Sequence, residues 1–190
     1  GPFFTVIGAG IVFGETFAPG QWAGLLLLVG GILGLAAWNL RYVTVDRGTM
    51  VPALWLAVAT GAMVAIYTTY DAYGIRATAD PFTFLAWFFM IDGIFIPVVT
   101  HRRWRQLPAT EIVPLLKRGV LGAFVAYFSF GSIMLATRLD KVGEAAVLRE
   151  TSTVFAALIG WLVLGEKVGP VRAGLMALIA IGAVIMEWAG

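Results

Sequence analysis

Long apolar stretches separated by short polar segments make up most of the sequence. After Glu15, seven stretches of eight or more residues contain no Asp, Glu, Lys or Arg: Trp22–Leu40, Gly48–Tyr70, Pro81–Ile91, Gly93–Thr100, Gly119–Thr137, Thr151–Gly165 and Ala173–Met186. A helix needs roughly 20 apolar residues to cross the hydrocarbon core of a bilayer. The pattern therefore predicts six full membrane spans, near residues 21–39, 51–72, 81–100, 117–137, 144–165 and 171–189.

The spans are predicted to be helices because their apolar positions are continuous and do not alternate with the period of two that a membrane barrel requires. The expected fold class is all-α, a polytopic membrane helix bundle. Residues 1–14, GPFFTVIGAGIVFG, are apolar but too few for a full span, and we interpret them as a partial N-terminal one. Asp80-Pro81 predicts a helix start, with Asp80 as the N-cap.

Composition agrees with a bilayer protein. The chain is 60% hydrophobic and 13% charged, whereas soluble domains carry about 25% charged residues. A soluble helical bundle is excluded because the sequence lacks the polar faces that would cover its core. Cysteine is absent, so disulfides and thiol chemistry are excluded.

Basic residues are distributed unequally between alternate loops. One set carries nine: Arg41, Arg47, Arg102, Arg103, Arg105, Lys117, Arg118, Lys167 and Arg172. The other set carries three: Arg76, Arg138 and Lys141. The positive-inside rule places the side with nine basic residues in the cytoplasm.

The two ends of the chain repeat each other at an offset of 151 residues. FFTVIGAGIVFGETFAPGQWAGLLLLVGGIL, from Phe3, aligns with VFAALIGWLVLGEKVGPVRAGLMALIAIGAV, from Val154. The alignment matches Gly14-Glu15 with Gly165-Glu166, and Gly31 with Gly182. Five spans per repeat, an odd number, would invert the second copy across the membrane. Inverted repeats are the usual architecture of carriers that work by alternating access.

These motifs make the chain similar to the EamA-type carriers of the drug/metabolite transporter (DMT) superfamily, which consist of ten helices in two repeats. The resemblance rests on GIVFGETFAPGQWAGLLLLVGG, LRETSTVFAALIGWLVLGEKVGPVRAGLMALIAIG and AIYTTYDAYGIR. It implies that residues 1–39 are the end of a first EamA repeat and residues 51–189 the second. The first three family helices are then missing, and the implied partners are those helices or a second copy of the chain.

The same resemblance implies an inverted-repeat transporter fold and transport of small metabolites, with no cofactor. It also implies an inner membrane location in a bacterial or archaeal cell. The alternative that we keep is a non-transporting membrane scaffold or regulator built on a carrier-like fold.

Arg149 and Glu150 are adjacent charges inside a predicted span. Arg149 and Thr153 share a helix face with the small residues Ala156, Ala157 and Gly160, which allow a partner helix to approach closely. We expect this face to point inward, where the Arg149 guanidinium would bind a carboxylate or phosphate of the substrate. The alternatives are a structural ion pair and an arginine that extends to the membrane surface.

Asp92 lies near the middle of another predicted span. An isolated carboxylate at that depth should protonate or find a cation, and Arg149 is the candidate partner. Asp92 is therefore expected to couple transport to protons or to form a buried ion pair, as is Glu150. A neutral Asp92 that bonds to a neighbouring backbone or hydroxyl group is the alternative.

Three aromatic side chains, Tyr67, Trp87 and Tyr127, are predicted to line the substrate cavity with Arg149 and Thr153. Aromatic walls suit a cation or a ring, and arginine suits an anion, so a zwitterion such as an amino acid satisfies both. Glu15 and Glu166 each follow a glycine at a helix end, and we expect them to make turns and caps.

Enzymatic chemistry has no support in the sequence. There is a single histidine, His101, within a basic loop, and neither HExxH nor GxSxG occurs. Metal sites and activated nucleophiles are therefore not predicted.

Overall fold

The computed structural model describes residues 1–42, 47–165 and 169–190. In these ranges the chain forms eight helices: α1 (Pro2–Phe13), α2 (Pro19–Tyr42), α3 (Arg47–Ala77), α4 (Pro81–Trp104), α5 (Ala109–Leu139), α6 (Val142–Arg149), α7 (Ser152–Leu164) and α8 (Pro170–Trp188). The described residues contain no strand, so the all-α prediction is confirmed.

Among the described residues, six helical segments are long and apolar enough to cross a membrane. They are Pro19–Tyr42, Pro52–Ala77, Pro81–Trp104, Thr110–Leu139, Val142–Leu164 and Pro170–Trp188. Each contains one of the six predicted spans or most of it, while α1 has only 12 residues. Large apolar side chains such as Trp55 and Leu162 are each 71% exposed, as expected where lipid takes the place of water. The chain is an integral membrane protein.

The chain divides into two compact units. The first consists of Gly1–Tyr70 and Asp140–Gly190, and the second of Asp71–Leu139. Helix α3 contributes residues to both.

In the first unit, α2 and α8 pack against each other as antiparallel helices through glycines. A methyl group on Gly24 would lie 2.6 Å from the Gly182 carbonyl oxygen and 2.6 Å from the Met186 nitrogen. Further along α2, a methyl group on Gly31 would lie 2.6 Å from Ile179 Cγ1. Backbones that approach this closely gain dispersion contacts over the whole crossing, the usual source of helix association in lipid.

The α2–α8 contact is two-fold symmetric at the offset of 151 residues. A methyl group on Gly31 would lie 3.2 Å from the Ile179 nitrogen, and one on Gly182 would lie 2.6 Å from the Leu28 nitrogen. Gly31 and Gly182 are 151 residues apart, and so are Leu28 and Ile179. The contact of Gly31 with Ile179 is therefore repeated, at equivalent positions, by the contact of Gly182 with Leu28.

The preceding helices α1 and α7 also end alike. Gly14 and Gly165 are left-handed C-caps, each with φ 67° and ψ 22°. The amide of Gly14 bonds to the carbonyl of Ala9 and that of Gly165 to the carbonyl of Gly160, again 151 residues later. A positive φ is nearly free for glycine and strained for other residues, which explains why glycine occupies both positions.

The second unit begins with a helix cap that the sequence predicts. Asp80 accepts hydrogen bonds from the amides of Phe82, at 3.3 Å, and Thr83, at 2.8 Å, and from the Thr83 hydroxyl at 2.6 Å. Asp80 is therefore confirmed as the N-cap of α4. The hydrogen bond from the Thr83 hydroxyl, followed by those from the amides, lowers the pKa of Asp80 from its ordinary value.

Two arginines connect the ends of α3 and α5 in the second unit. Arg76 Nε donates to the Thr137 carbonyl at 2.8 Å. In return, Arg138 Nη1 donates to the carbonyls of Ile75 and Thr78, both at 2.6 Å. Each guanidinium thus binds carbonyls at the end of the other helix, where orphan acceptors and the negative end of the dipole favour a cation.

Candidate functional site

The predicted span around residues 144–165 is interrupted at its two charges. Helix α6 ends at Arg149 and α7 begins at Ser152. Between them, the amide of Glu150 bonds to the Val147 carbonyl and the amide of Thr151 to the Leu148 carbonyl, both at 3.0 Å. Each of these bonds joins an amide to the carbonyl three residues earlier, so the interruption is a 3₁₀ turn. Such turns within helices often occur at hinges and functional sites.

Two threonine hydroxyls accompany this turn. Thr151 Oγ1 donates to the Leu148 carbonyl at 2.6 Å, and Thr153 Oγ1 donates to the Glu150 carbonyl at 2.7 Å. Hydroxyl bonds to carbonyls of the preceding turn compete with the regular helical ladder and bend helices. They also satisfy backbone acceptors where lipid offers none. The hydroxyl of Thr153 is therefore engaged within its own helix.

Arg149 and Glu150 form a loose, half-buried pair at the turn. Arg149 Nη2 lies 3.8 Å from Glu150 Oε1, and the two side chains are 24% and 19% exposed. This separation exceeds a hydrogen bond, which needs about 2.7–3.2 Å. Neither side chain makes a hydrogen bond to the described part of the chain. The guanidinium donors and the carboxylate acceptors are therefore not saturated by the described residues.

The pair lies beside Gly1, the residue before α1, and the middle of α3. A methyl group on Gly1 would lie 3.7 Å from both Arg149 Nη2 and Glu150 Oε1, and 3.8 Å from Val64 Cγ1. One turn before Val64, Gly61 approaches so closely that its added methyl group would lie 3.0 Å from the Gly1 nitrogen. The charges therefore lie beside a face of α3 where the small residue Gly61 allows close approach.

Thr68 adds a polar group to this face of α3, one turn after Val64. It is 6% exposed, and its hydroxyl has no hydrogen-bond partner among the described residues. Its neighbour Thr69, by contrast, donates to the Ala65 carbonyl at 2.8 Å. Buried hydroxyls are almost always paired, so Thr68 is a candidate site residue that the sequence analysis missed. The only available signal was the Thr68-Thr69 pair within an apolar span.

The predicted aromatic residues lie in different surroundings. Tyr67 adjoins Thr68 in the first unit and is 41% exposed. In the second unit, Trp87 is 59% exposed, and Tyr127 packs against Phe89 with ring centroids 5.3 Å apart. Aromatic packing thus accounts for the position of Tyr127, and substrate contact by any of the three stays a prediction.

Asp92 is exposed and has no hydrogen bond or ion pair within the described ranges. Asp92 and Arg149 belong to different units, so their pairing stays a prediction.

Glu15 caps another helix. Its Oε1 accepts from the Val142 amide at 2.8 Å and its Oε2 from the Gly143 amide at 3.2 Å. These amides are orphan donors in the first turn of α6, where the helix dipole favours an anion. Glu15 therefore fixes the end of α6 opposite Arg149. Its repeat equivalent, Glu166, lies outside the described residues.

A buried polar network near the same helix end escaped the sequence analysis. Gln21 is 0% exposed, and its Nε2 donates to Glu144 Oε1 at 2.5 Å and to the Met186 carbonyl at 3.2 Å. Lys141 Nζ completes the network at 2.9 Å from Glu144 Oε1. The network joins the starts of α2 and α6 to the end of α8.

A model of the EamA-like transporter family matches residues 51–188. Neither the curated proteins nor the solved structures gave a match.

Proposed function

Because the chain belongs to the EamA-like transporter family, we propose that it moves a small organic metabolite across the membrane by alternating access. Members of this family are membrane transporters of the DMT type rather than enzymes. The proposed substrate is an amino-acid-like zwitterion, bound where α6 meets α7. The proposed location is the inner membrane of a bacterial or archaeal cell, with the side rich in basic residues in the cytoplasm.

The observation that carries this proposal is the loose pair of Arg149 and Glu150. Opposite charges 3.8 Å apart present a cation and an anion side by side without saturating either. A zwitterion complements both, since its carboxylate can accept from the guanidinium and its ammonium can donate to the carboxylate. Each such charge-assisted bond contributes about 1.5–3 kcal/mol. The unpaired Thr68 hydroxyl and the ring of Tyr67 lie on the adjacent helix.

Alternating access draws its support from the symmetry of α2 and α8. A carrier with inverted repeats changes its open side when the repeats exchange conformations around a fixed site. Such an exchange requires equivalent contacts in the two repeats. Gly31 and Gly182, which are 151 residues apart, make such equivalent contacts with Ile179 and Leu28. The 3₁₀ turn beside Arg149 belongs to the class of interrupted helices that bind substrates in such folds.

Proton coupling through Asp92 or Glu150 is part of the proposal. Both carboxylates lack a hydrogen bond within the described chain, so protonation would not break an existing one. We expect Asp92→Asn to abolish uptake driven by a pH gradient while counterflow exchange continues. Uptake that still follows the gradient in this variant removes Asp92 from the coupling step.

The proposed partners are the three missing family helices or a second copy of the chain. On α1, the residues Pro2, Thr5, Val6 and Ala9 are buried, whereas Thr153 and Ala156, which are equivalent to Pro2 and Thr5, are exposed. A single cysteine in place of Ala156 in this cysteine-free chain tests the choice. Disulfide-linked dimers indicate a second copy, and a cysteine that is blocked only in the longer protein indicates the missing helices.

The test of substrate binding is counterflow in liposomes that contain the purified protein, with labelled neutral amino acids. Arg149→Lys keeps the charge but loses the planar fork, and Glu150→Gln removes the ammonium acceptor. We expect about a tenfold or greater loss of apparent affinity in each variant. The control is Arg172→Gln, because Arg172 is an exposed arginine that donates to Asn39 Oδ1 at 2.8 Å.

The pattern of losses distinguishes the substrate classes. A zwitterion requires both variants to weaken exchange, whereas a plain anion loses affinity only in Arg149→Lys. The remaining outcome is that the wild-type chain, together with its proposed partner helices, exchanges no labelled metabolite. That outcome rejects the transport proposal in favour of the scaffold alternative.

A further inference from the structure

Five exposed cations lie at the end of α4 and in the third turn of α5. They are Arg102, Arg103, Arg105, Lys117 and Arg118. None of the five side chains has a hydrogen bond or ion pair within the described ranges. Glu111 is the sole acidic residue between positions 93 and 139, so this end of the second unit carries an excess of four positive charges.

At the opposite end of the same unit, the cations have hydrogen-bond partners within the chain. Arg76 and Arg138 bind backbone carbonyls at 2.6–2.8 Å, and these bonds account for their positions. Within this unit, the end formed by α4 and α5 therefore presents a set of cations that no described side chain of the unit pairs with.

The cations lie at similar heights along the two helices. Phe88 stacks on Phe130 at 5.6 Å, and Phe89 meets Tyr127 at 5.3 Å, which fixes an antiparallel register. Continued at 1.5 Å per residue, this register places Lys117 level with Thr100. Arg102, Arg103, Lys117 and Arg118 then fall within about 6 Å along the axis, a layer as thin as the phosphates of one leaflet.

An apolar groove adjoins this layer. It has a volume of about 440 Å³ and is lined by Val113, Leu116, Lys117, Val120, Leu121 and Phe124. Five of these six side chains are apolar, and Lys117 is the only charged one. The groove follows α5 for about 16 Å from Val113 to Phe124. A cation within an open, shallow apolar surface on one helix suits a ligand with an anionic head and a hydrocarbon chain.

We propose that this surface is a binding site for an anionic phospholipid. The phosphate contacts Arg102, Arg103, Lys117 and Arg118, and one acyl chain lies in the groove along α5. Arginine forks bind phosphate oxygens in pairs, and basic sites at helix ends bind anionic head groups on the cytoplasmic side. The groove favours a lipid over free phosphate, because a free anion gains nothing from apolar walls.

The experiment reconstitutes the chain in nanodiscs of equal parts phosphatidylglycerol and phosphatidylcholine, extracts it gently and quantifies the lipids that remain bound. Both faces of a nanodisc are accessible, so a change in membrane orientation cannot mimic lost binding. The test variants are R102Q/R103Q and K117Q/R118Q. The matched control is R41Q/R172Q, which removes two exposed arginines from elsewhere in the chain. R102K/R103K keeps the charge of the first pair.

We expect wild type, R41Q/R172Q and R102K/R103K to retain phosphatidylglycerol preferentially. Each test variant should lose about tenfold or more of this preference, since each removed charge weakens attraction to anionic lipid severalfold. Unchanged preference in both test variants overturns the proposal, and so does equal loss in R41Q/R172Q, which indicates a non-specific charge effect. The proposal is also overturned if inorganic phosphate displaces the bound lipid as effectively as added phosphatidylglycerol does. That result assigns the site to a free anion.

Discussion

Adding a single methyl group at Gly182 should separate α2 from α8. The new Cβ of Gly182→Ala would lie 2.6 Å from the Gly24 carbonyl oxygen and 2.6 Å from the Leu28 nitrogen. Ordinary contact begins near 3.4 Å, so the backbones must move apart by about 0.8 Å. Both neighbours are backbone atoms of a packed helix and cannot rotate away. Overpacking of this kind costs about 1–3 kcal/mol.

Gly30→Ala is the matched control. Gly30 lies on the same helix as Gly24, but a methyl group there would meet nothing within 4 Å. Alanine is favoured over glycine in a helix by about 0.5–1 kcal/mol, so this variant should be neutral or slightly more stable. Both variants gain this helix propensity, so their unfolding free energies should differ by the overpacking cost, about 1–3 kcal/mol.

Reversible unfolding in mixed micelles, followed by tryptophan fluorescence, measures this difference. Gly24→Ala should resemble Gly182→Ala, since its methyl group meets the same interface from the other side. If Gly182→Ala is as stable as Gly30→Ala, close backbone contact does not hold α2 and α8 together, and the two-fold interface loses its energetic meaning.

Three further predictions concern helix ends, with Arg118→Gln as the shared control in the stability assays. Glu15→Gln should destabilise the start of α6 by about 1 kcal/mol, because the amides keep a weaker, neutral cap; an unchanged thermal midpoint contradicts this. Arg138→Gln leaves carbonyls at the end of α3 unpaired and should cost about 1–3 kcal/mol, with partial recovery in Arg138→Lys as the check. Asp80 contributes stability above its unfolded pKa, near 3.9, that is lost as the pH falls through its lowered folded pKa. Asp80→Asn should remove this acid-dependent loss, and identical pH titrations of stability contradict it.

Helix type, span positions and the repeat followed from local rules. In lipid, the backbone must satisfy its own polar groups, so continuous apolar runs of about 20 residues leave little choice but helices. Asp80-Pro81 carried a complete start signal within the chain itself, and the structure has that cap. The paired glycines Gly14 and Gly165 recur 151 residues apart, and their left-handed conformations follow from local sterics.

The charges at Arg149 and Glu150 marked an anomaly in a predicted span, and the structure has a 3₁₀ turn at that point, which the sequence did not predict. Charges within a span are costly, which is why the anomaly stood out. Whether the helix continues through such a point depends on the balance between the helical ladder and the hydroxyls of Thr151 and Thr153. That balance shifts with small changes in backbone angle, which packing decides.

Burial was the property that the sequence could not determine. Asp92 is exposed, while the charged Glu144 is only 6% exposed and the polar Gln21 is completely buried. Hydropathy reports how much of a helix is apolar but not which face meets another helix, since in lipid both faces are apolar. The partner of Glu15 was equally hidden, because its carboxylate reaches amides 127 residues away.

The sequence by itself determined the membrane environment, the helices and the position of a charged anomaly, because each depends on residues close together in the chain. It also determined the repeat, because two such segments match each other directly. Only the tertiary structure decided that α2 and α8 pack through a two-fold glycine contact and that Glu15 caps α6. It also decided that a 3₁₀ turn leaves Arg149 and Glu150 unsaturated. These features depend on distances between segments far apart in sequence, and close packing, rather than hydrophobicity, selects among them.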